Sequence, residues 1–399
     1  MKRALTGLLV AIIIAAFGLL TACGTERRSD LTIAVGYQFT TLDPALNTEV
    51  ANSYVLTHLY SGMFRKGPNG ELENDLCESF EVSEDGLTYT FHMVSDAKWS
   101  DGVPITAHDF EYSYLRALSF GEDAAYALAI SEVLNFIEGA EVYFEEALLQ
   151  GPSFDCTTAD HSYVGVEAVD DVTLVLRLSA PCGYLTDLMA TPYVWVPVRE
   201  DFAPQHEAMW AFEGGYPTNG AYTLTECNET EKVVLQKNPN YRLADDVTMD
   251  TITFLCMPDE GTRTLAYQSG EVDVTLDMSA DATKPYEETQ ELWVMAQPSN
   301  YFLLINSGSS GPEWAHNADV RRALALAIDK EDVVSVLGGD LYYPVLNGYV
   351  PDGIPGADGP FRSEGDADGY ALTYDPDEAR ALLAKAGFNE SNPLHITYK

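Results

Sequence analysis

Thr88-Tyr89-Thr90-Phe91-His92-Met93, Lys98-Trp99-Ser100-Asp101-Gly102-Val103-Pro104 and Thr106-Ala107-His108-Asp109-Phe110 follow one another closely, and this stretch decides the fold class. Its first piece is rich in β-branched and aromatic residues and reads as a strand. The second carries glycine and proline and reads as a turn. In the third, Thr106 is an N-cap with Asp109 three residues on in place of the usual glutamate, which predicts a helix running to about Leu118. A strand, a turn and a helix in immediate succession place the chain among mixed α/β proteins.

The same alternation extends in both directions. Toward the N-terminus, Leu31–Val35 alternates like a strand and Leu42-Asp43-Pro44 marks a turn, because proline fixes its own φ and restricts its predecessor. Tyr54, Val55, Leu59, Tyr60 and Met63 fall at helical spacing across Ser53–Met63, and Gly67-Pro68-Asn69-Gly70 is a turn cluster. Toward the C-terminus, Val172–Leu178, Thr251–Met257 and Tyr301–Asn306 are strand-like, and Tyr193–Val198 is a short apolar run. Ala221–Leu224 pairs with Lys232–Lys237 across the acidic turn Glu229–Glu231. Helices are expected over Thr262–Gln268, closed by Gly270, from Asp319 onward, and over Asp375–Ala386, stopped by Gly387. The Gly/Asp/Pro-rich residues from Asp352 to Gly369 form a long loop, and His395–Lys399 resembles the start of a strand. No internal repeat interrupts this irregular order, so the class is α/β or α+β with mixed sheets.

At the N-terminus, Lys2 and Arg3 precede an apolar run from Leu8 to Leu20, followed by Leu20-Thr21-Ala22-Cys23. Basic start, short apolar core and small residues before a break make an export signal. The run is short for a membrane span of ~20 residues. The cysteine at the cleavage point resembles a bacterial lipoprotein signal, in which residues 1–22 are removed and Cys23 carries lipid. A membrane-anchored, extracytoplasmic protein is the expectation.

The composition excludes whole classes. Among 399 residues, 62 acids face 22 bases, a formal net charge of −40. Nucleic acid and anionic membrane surfaces need basic clusters, and none is present. The acids are spread along the chain and read as a solvated surface that favours solubility. Besides Cys23 there are Cys77, Cys156, Cys182, Cys227 and Cys256, with no metal-ligand spacing. Outside the cell disulfides are permitted. Cys227 and Cys256 end two strand-like runs and form the first candidate bridge; Cys156 and Cys182 form the second. A hydrolase would need a nucleophile with a base, paired carboxylates or a metal site. The seven histidines make no His-Glu-x-x-His arrangement, and no Gly-x-Ser-x-Gly elbow occurs. His108 and Glu111 lie one helical turn apart. An enzyme is therefore not expected, and no cofactor is called for.

Several strings in fixed order carry a resemblance. They are Leu42-Asp43-Pro44, Leu59-Tyr60-Ser61-Gly62-Met63, Ser83–Phe91, Asp96–Gly102 and Thr106–Phe110. After them come Thr218-Asn219-Gly220-Ala221-Tyr222, Lys237-Asn238-Pro239-Asn240-Tyr241, Gln268–Asp273 and Asp319–Leu324. Together they resemble the extracytoplasmic solute-binding proteins of family 5, the peptide receptors of ABC importers. The strings themselves are mostly structural. Asp85-Gly86 suits a tight turn, Trp99 a core anchor, and Arg321 and Arg322 pairing with surface acids.

The resemblance implies a two-lobed periplasmic-binding-protein-like fold, α/β with mixed sheets, bearing a small extra domain on the first lobe. It implies a linker over 23–30, a first lobe from 31–60 and 198–298, an accessory domain at 61–197 and a second lobe over 299–399. That lobe is expected to be incomplete, with the carboxylate for a peptide's amino terminus lying beyond Lys399. Near Gly338-Gly339-Asp340 no basic residue for a peptide carboxylate is evident. Asn47, Thr48, Glu49 and Val50 match a first-lobe loop that meets ligand backbone, and Asn300 and Tyr301 match the crossing into the second lobe. The implied ligand is a peptide passed by a monomer to ABC permease subunits. The alternatives are an oligosaccharide, a metal chelate or a signalling peptide on the same fold, since fold does not fix ligand.

Overall fold

A computed structural model describes residues 28–68, 70–124, 127–128, 133–191, 194–203, 210–295, 299–346, 348–351, 354, 356, 359, 361 and 372–397. The export signal with Cys23, and nearly all of the expected loop from Asp352 to Gly369, lie outside the described residues. The chain divides into two compact units, residues up to Asp277 and residues from Met278 onward.

In the first unit, β1 (Asp30–Val35) is the centre of the parallel part of a five-stranded sheet. Strands β8 (Tyr222–Asn228), β9 (Lys232–Lys237), β10 (Thr251–Cys256) and β11 (Val274–Thr275) complete it in the order β11-β1-β10-β9-β8. β1 runs parallel to β10 and β11, with Ile33 opposite Phe254. β10, β9 and β8 are antiparallel, so the expected hairpin between β8 and β9 is present. Val35, Val233, Leu235 and Phe254 are buried from this sheet together with Val55, Leu56 and Leu59 of helix α1 (Val50–Leu59).

A second sheet is wholly antiparallel, in the order β4-β5-β7-β6: β4 (Cys77–Val82), β5 (Thr88–Met93), β6 (Val166–Asp170) and β7 (Thr173–Arg177). A hairpin of β2 (Phe64–Lys66) and β3 (Leu72–Asn74) precedes it. Helix α2 (Ala107–Ser119) begins as the sequence predicts. The Thr106 backbone N–H donates to Asp109 Oδ2 at 2.7 Å. Trp99 is fully buried, with Phe91, Phe110, Tyr114 and Trp195 in one core, which also takes Tyr143 from helix α3 (Ala140–Gln150). His108 is exposed beside Glu111, their ring nitrogen and carboxylate 3.6 Å apart.

Four of the family strings, Leu59–Met63, Asp96–Gly102, Thr218–Tyr222 and Lys237–Tyr241, meet in one hydrogen-bonded node. Asn219 accepts from Ser61 N–H at 3.0 Å and donates to Ser61 C=O at 2.8 Å. Asn238 donates to Gly220 C=O at 2.9 Å, while Asn240 donates to Ser100 C=O at 2.8 Å. The Ser100 amide donates to Thr218 C=O at 2.8 Å. Gly220 lies so close to α1 that a Cβ there would stand 2.5 Å from the His58 carbonyl oxygen. The grip of the Asn219 side chain on the Ser61 backbone also explains why α1 stops at Leu59 instead of reaching Met63, since Tyr60 is already extended.

In the first unit α4 (Glu260–Ser269) is capped by Asp259 and closed by Gly270 at φ +75°. In the second unit α5 (Ala318–Leu326), α6 (Lys330–Leu337) and α7 (Pro376–Lys385) are found, and α5 packs on α7 through Ala323, Leu326 and Ala379. Asn317, not Asp319, caps α5. Arg322 pairs with Glu378 at 3.2 Å, whereas Arg321 donates to the Ala315 carbonyl at 2.7 Å.

Three expectations need correction. Residues 301–306 and the described part of His395–Lys399, residues 395–397, are not strands, because no described strand pairs with either, and apolar alternation without a ladder leaves backbone groups to water. The two disulfides are not formed, and all five described cysteines stand as thiols. Cys227 lies on β8 and Cys256 on β10, so β9 runs between them and the strands are not neighbours. Cys156 and Cys182 are both buried in the core of the antiparallel sheet without a bond between them.

Candidate functional site

In open α/β sheets ligands sit beyond the carboxyl ends of parallel strands. At that end of β1, Tyr37, Gln38 and Thr40 are exposed, and the loop 47–50 lies beside them. The two segments are stitched together. Thr40 N–H donates to Asn52 Oδ1 at 3.0 Å, and Asn52 Nδ2 donates to Thr40 Oγ1 at 2.9 Å and to Asn47 Oδ1 at 3.2 Å.

Asn47 is fully buried and its side chain is used within the protein. Its Nδ2 donates to Ser53 Oγ at 2.9 Å, and its Oδ1 accepts from the Glu49 amide at 3.1 Å. Asn47 therefore supports the loop, and starting α1 at Val50 is its work. Thr48 is half-buried, and Glu49 and Val50 are exposed. Glu49 occupies the N-cap position of α1 without capping it by its side chain. That leaves an outward carboxylate at a helix N-terminus, where the dipole favours negative charge.

Beneath the loop lies the feature that sequence reading missed. Asp43 and Arg116 are both fully buried and form a fork: Nη1 to Oδ1 at 3.0 Å and Nη2 to Oδ2 at 2.6 Å. The Phe120 ring covers the guanidinium at 4.7 Å. Asp43 Oδ1 also accepts from the Ala45 amide at 3.0 Å, beginning the 3-10 turn Pro44–Leu46. The only sequence signal was an acid wedged between Leu42 and Pro44; Arg116 sits amid Leu115, Ala117 and Leu118 with its partner far away in the chain.

In the last turn of α1, His58 packs edge-on against Tyr222 and Phe254 at 5.6 and 5.8 Å. Burial lowers its pKa from 6.5, against the opposing effect of its hydrogen bond to the Tyr54 carbonyl. The Tyr54 hydroxyl donates to Asp277 Oδ1 at 2.9 Å. Burial pushes the Cys156 thiol up to about 11 and those of Cys77 and Cys227 up to about 12. At neutral pH these sulfurs are protonated and poor nucleophiles. Among the described residues no cluster of histidine, cysteine and carboxylate groups suits a metal ion.

Asn300 and Tyr301 belong to the second unit. The Asn300 amide donates to the Tyr349 carbonyl. Tyr301 is 92% exposed, its ring edge-on to Tyr343 at 6.3 Å. The described helices include none long and apolar enough to cross a membrane.

Comparison with known proteins adds the family. Residues 71–398 match the model of bacterial extracellular solute-binding proteins, family 5 middle. The periplasmic oligopeptide-binding protein OppA of Escherichia coli is 29% identical over 366 residues, covering 90% of this chain and 63% of that protein. The dipeptide-binding protein DppE of Bacillus subtilis is 29% identical over 364 residues, again covering 90% and 63%. This chain thus spans 63% of the length of both relatives. The solved structure of a periplasmic oligopeptide-binding protein from Borrelia burgdorferi, OppAIV, superposes with a TM-score of 0.72 at 26% identity, covering 92% of this chain and 69% of that one.

Proposed function

The chain belongs to the bacterial extracellular solute-binding proteins of family 5, and from that premise we propose that it captures peptides and delivers them to an ABC permease. The observation that carries this reading is that relatives named for oligopeptide and dipeptide binding align with nine-tenths of the chain. The edge beyond β1 supports it: half-buried Thr48 and exposed Glu49 and Val50 sit on a loop whose asparagine side chains are already paired. At such an edge an extended peptide is held through main-chain hydrogen bonds, which give affinity that tolerates varied side chains. In this reading Asn47 supports the loop, Thr48, Glu49 and Val50 face ligand, and Asn300 and Tyr301 contribute from the second lobe.

The reading extends to the molecule's organisation. Residues 31–60 and 198–298 form the first lobe, 61–197 its accessory domain and 299–399 belong to the second lobe. The protein acts as a monomer, without covalent chemistry, and ligand shifts it toward the state that the permease recognises. Cys23 carries lipid that holds the protein at the outer face of the membrane, and each buried methylene adds roughly 0.8 kcal/mol to that hold. Metabolic lipid labelling lost in Cys23→Ala is the expected result; labelling that persists there contradicts the anchor.

The direct test is mass spectrometry of small molecules released from the protein purified without denaturation. Peptides of narrow length and varied sequence are expected. A sugar, a metal chelate or a single unique peptide would keep the fold and replace the ligand.

A further inference from the structure

We propose that Arg116 is a positioning residue for the ligand-facing loop, so that the antiparallel-sheet segment serves the binding edge through one buried ion pair. The proposal rests on reading residues 48–50 as ligand-facing, but its central step is a property of the ligand-free chain.

Besides Tyr114, whose hydroxyl donates to the Trp195 carbonyl at 3.2 Å, three side chains of α2 reach backbone or side chains outside the antiparallel sheet. Tyr112 OH donates to the Ala203 carbonyl at 2.8 Å, and Ser113 Oγ accepts from the Val198 amide at 2.6 Å. Both are neutral bonds to backbone. Arg116 alone brings a charge, and it is matched by Asp43 with no exposure of either side chain. Packing two charges out of water is costly, and an apolar pair of similar volume often serves stability as well or better. What the fork adds is geometry, because a guanidinium fixes both the distance and the plane of the carboxylate it grips.

That plane is passed along the loop. The oriented Asp43 Oδ1 starts the turn at Ala45. The turn ends on Asn47, whose amide donates to the Pro44 carbonyl at 3.5 Å. Asn47 Oδ1 in turn holds the Glu49 amide at 3.1 Å, and Ser53 closes the first turn of α1 onto the Glu49 carbonyl at 3.3 Å. A rotation of the Asp43 carboxylate therefore moves the start of α1, and with it the outward faces of Glu49 and Val50.

The test is hydrogen exchange of the full chain without ligand, comparing Arg116→Met and Arg116→Lys with Tyr112→Phe. In Arg116→Met the amides of Ala45, Asn47, Glu49 and Ser53 are expected to lose roughly tenfold more protection than those of β9, a local opening added to any global loss. Arg116→Lys, which keeps the charge and loses the fork, moves the same amides less. Tyr112→Phe cuts a different tie of the same helix and leaves them unchanged. Unchanged loop amides in Arg116→Met, or equal acceleration in Tyr112→Phe, would overturn the proposal. Should Arg116→Met fail to fold, Asp43→Asn carries the same comparison. A parallel titration with a degenerate pool of short peptides keeps the two readings apart. Weaker binding in Arg116→Lys than in Tyr112→Phe is expected. A wild-type chain that binds none of the pool sinks the peptide reading and leaves the loop amides to decide the role of Arg116.

Discussion

Residues 47–50 and 300–301 were singled out by the same resemblance, yet the loop 43–53 and the segment 300–306 in which they lie are opposites in structure. The first is pinned by a buried ion pair, two buried asparagines and a serine, so that its few exposed groups are held in place. In the second, Tyr301 is 92% and Leu304 86% exposed, and no described strand pairs with the run. Side chains within one turn of chain can hold a loop; an apolar run becomes a strand only where another strand supplies its ladder. Rigidity before binding also lowers the cost of ordering a loop on a ligand.

The sharpest way to break this contrast is to remove half of the buried pair. Arg116→Met leaves the Asp43 carboxylate without its countercharge, and an expected loss of about 3–5 kcal/mol in chemical denaturation follows. Gly220→Ala should cost about 1–3 kcal/mol, because the new methyl meets the His58 backbone, which cannot yield as a side chain would. Asn47→Ala should cost about 1–3 kcal/mol, since Asn52 and the Glu49 amide lose an acceptor in a buried place. At the far end, Leu304→Ala should stay within about 0.5 kcal/mol, as an exposed side chain has little to lose. A large effect there would show that 300–306 is packed as firmly as the first loop.

A pH experiment sharpens the same region from behind. His58 has a folded pKa below its ordinary 6.5, so between those two values the unfolded chain binds the proton and the folded chain does not. Stability therefore falls as pH drops below about 6.5 toward the folded value, and is unaffected by this group above it. His58→Phe should flatten that part of the melting-temperature profile. An unchanged slope would mean that His58 does not carry it.

Much of the fold was legible because it is local. Thr106 and Asp109 make the expected box, Gly270 closes α4, and β8 and β9 form the hairpin across Glu229–Glu231. What escaped is non-local. Cysteines that end strand-like runs look like partners until β9 is seen to run between them. Nothing near Arg116 in sequence announces Asp43, and nothing in Asn219 announces Ser61, because each partner is supplied by folding. At the candidate site the string up to Val50 was readable, but not the division of labour within it, with Asn47 turned inward and Glu49 outward.

Hydrogen exchange with and without a degenerate pool of short peptides tests the central claim most directly. The account predicts added protection at residues 37–40 and 48–50 in the first unit, with β4 and β6 unchanged. Protection that appears only along the antiparallel sheet, or none at saturating peptide, would contradict it.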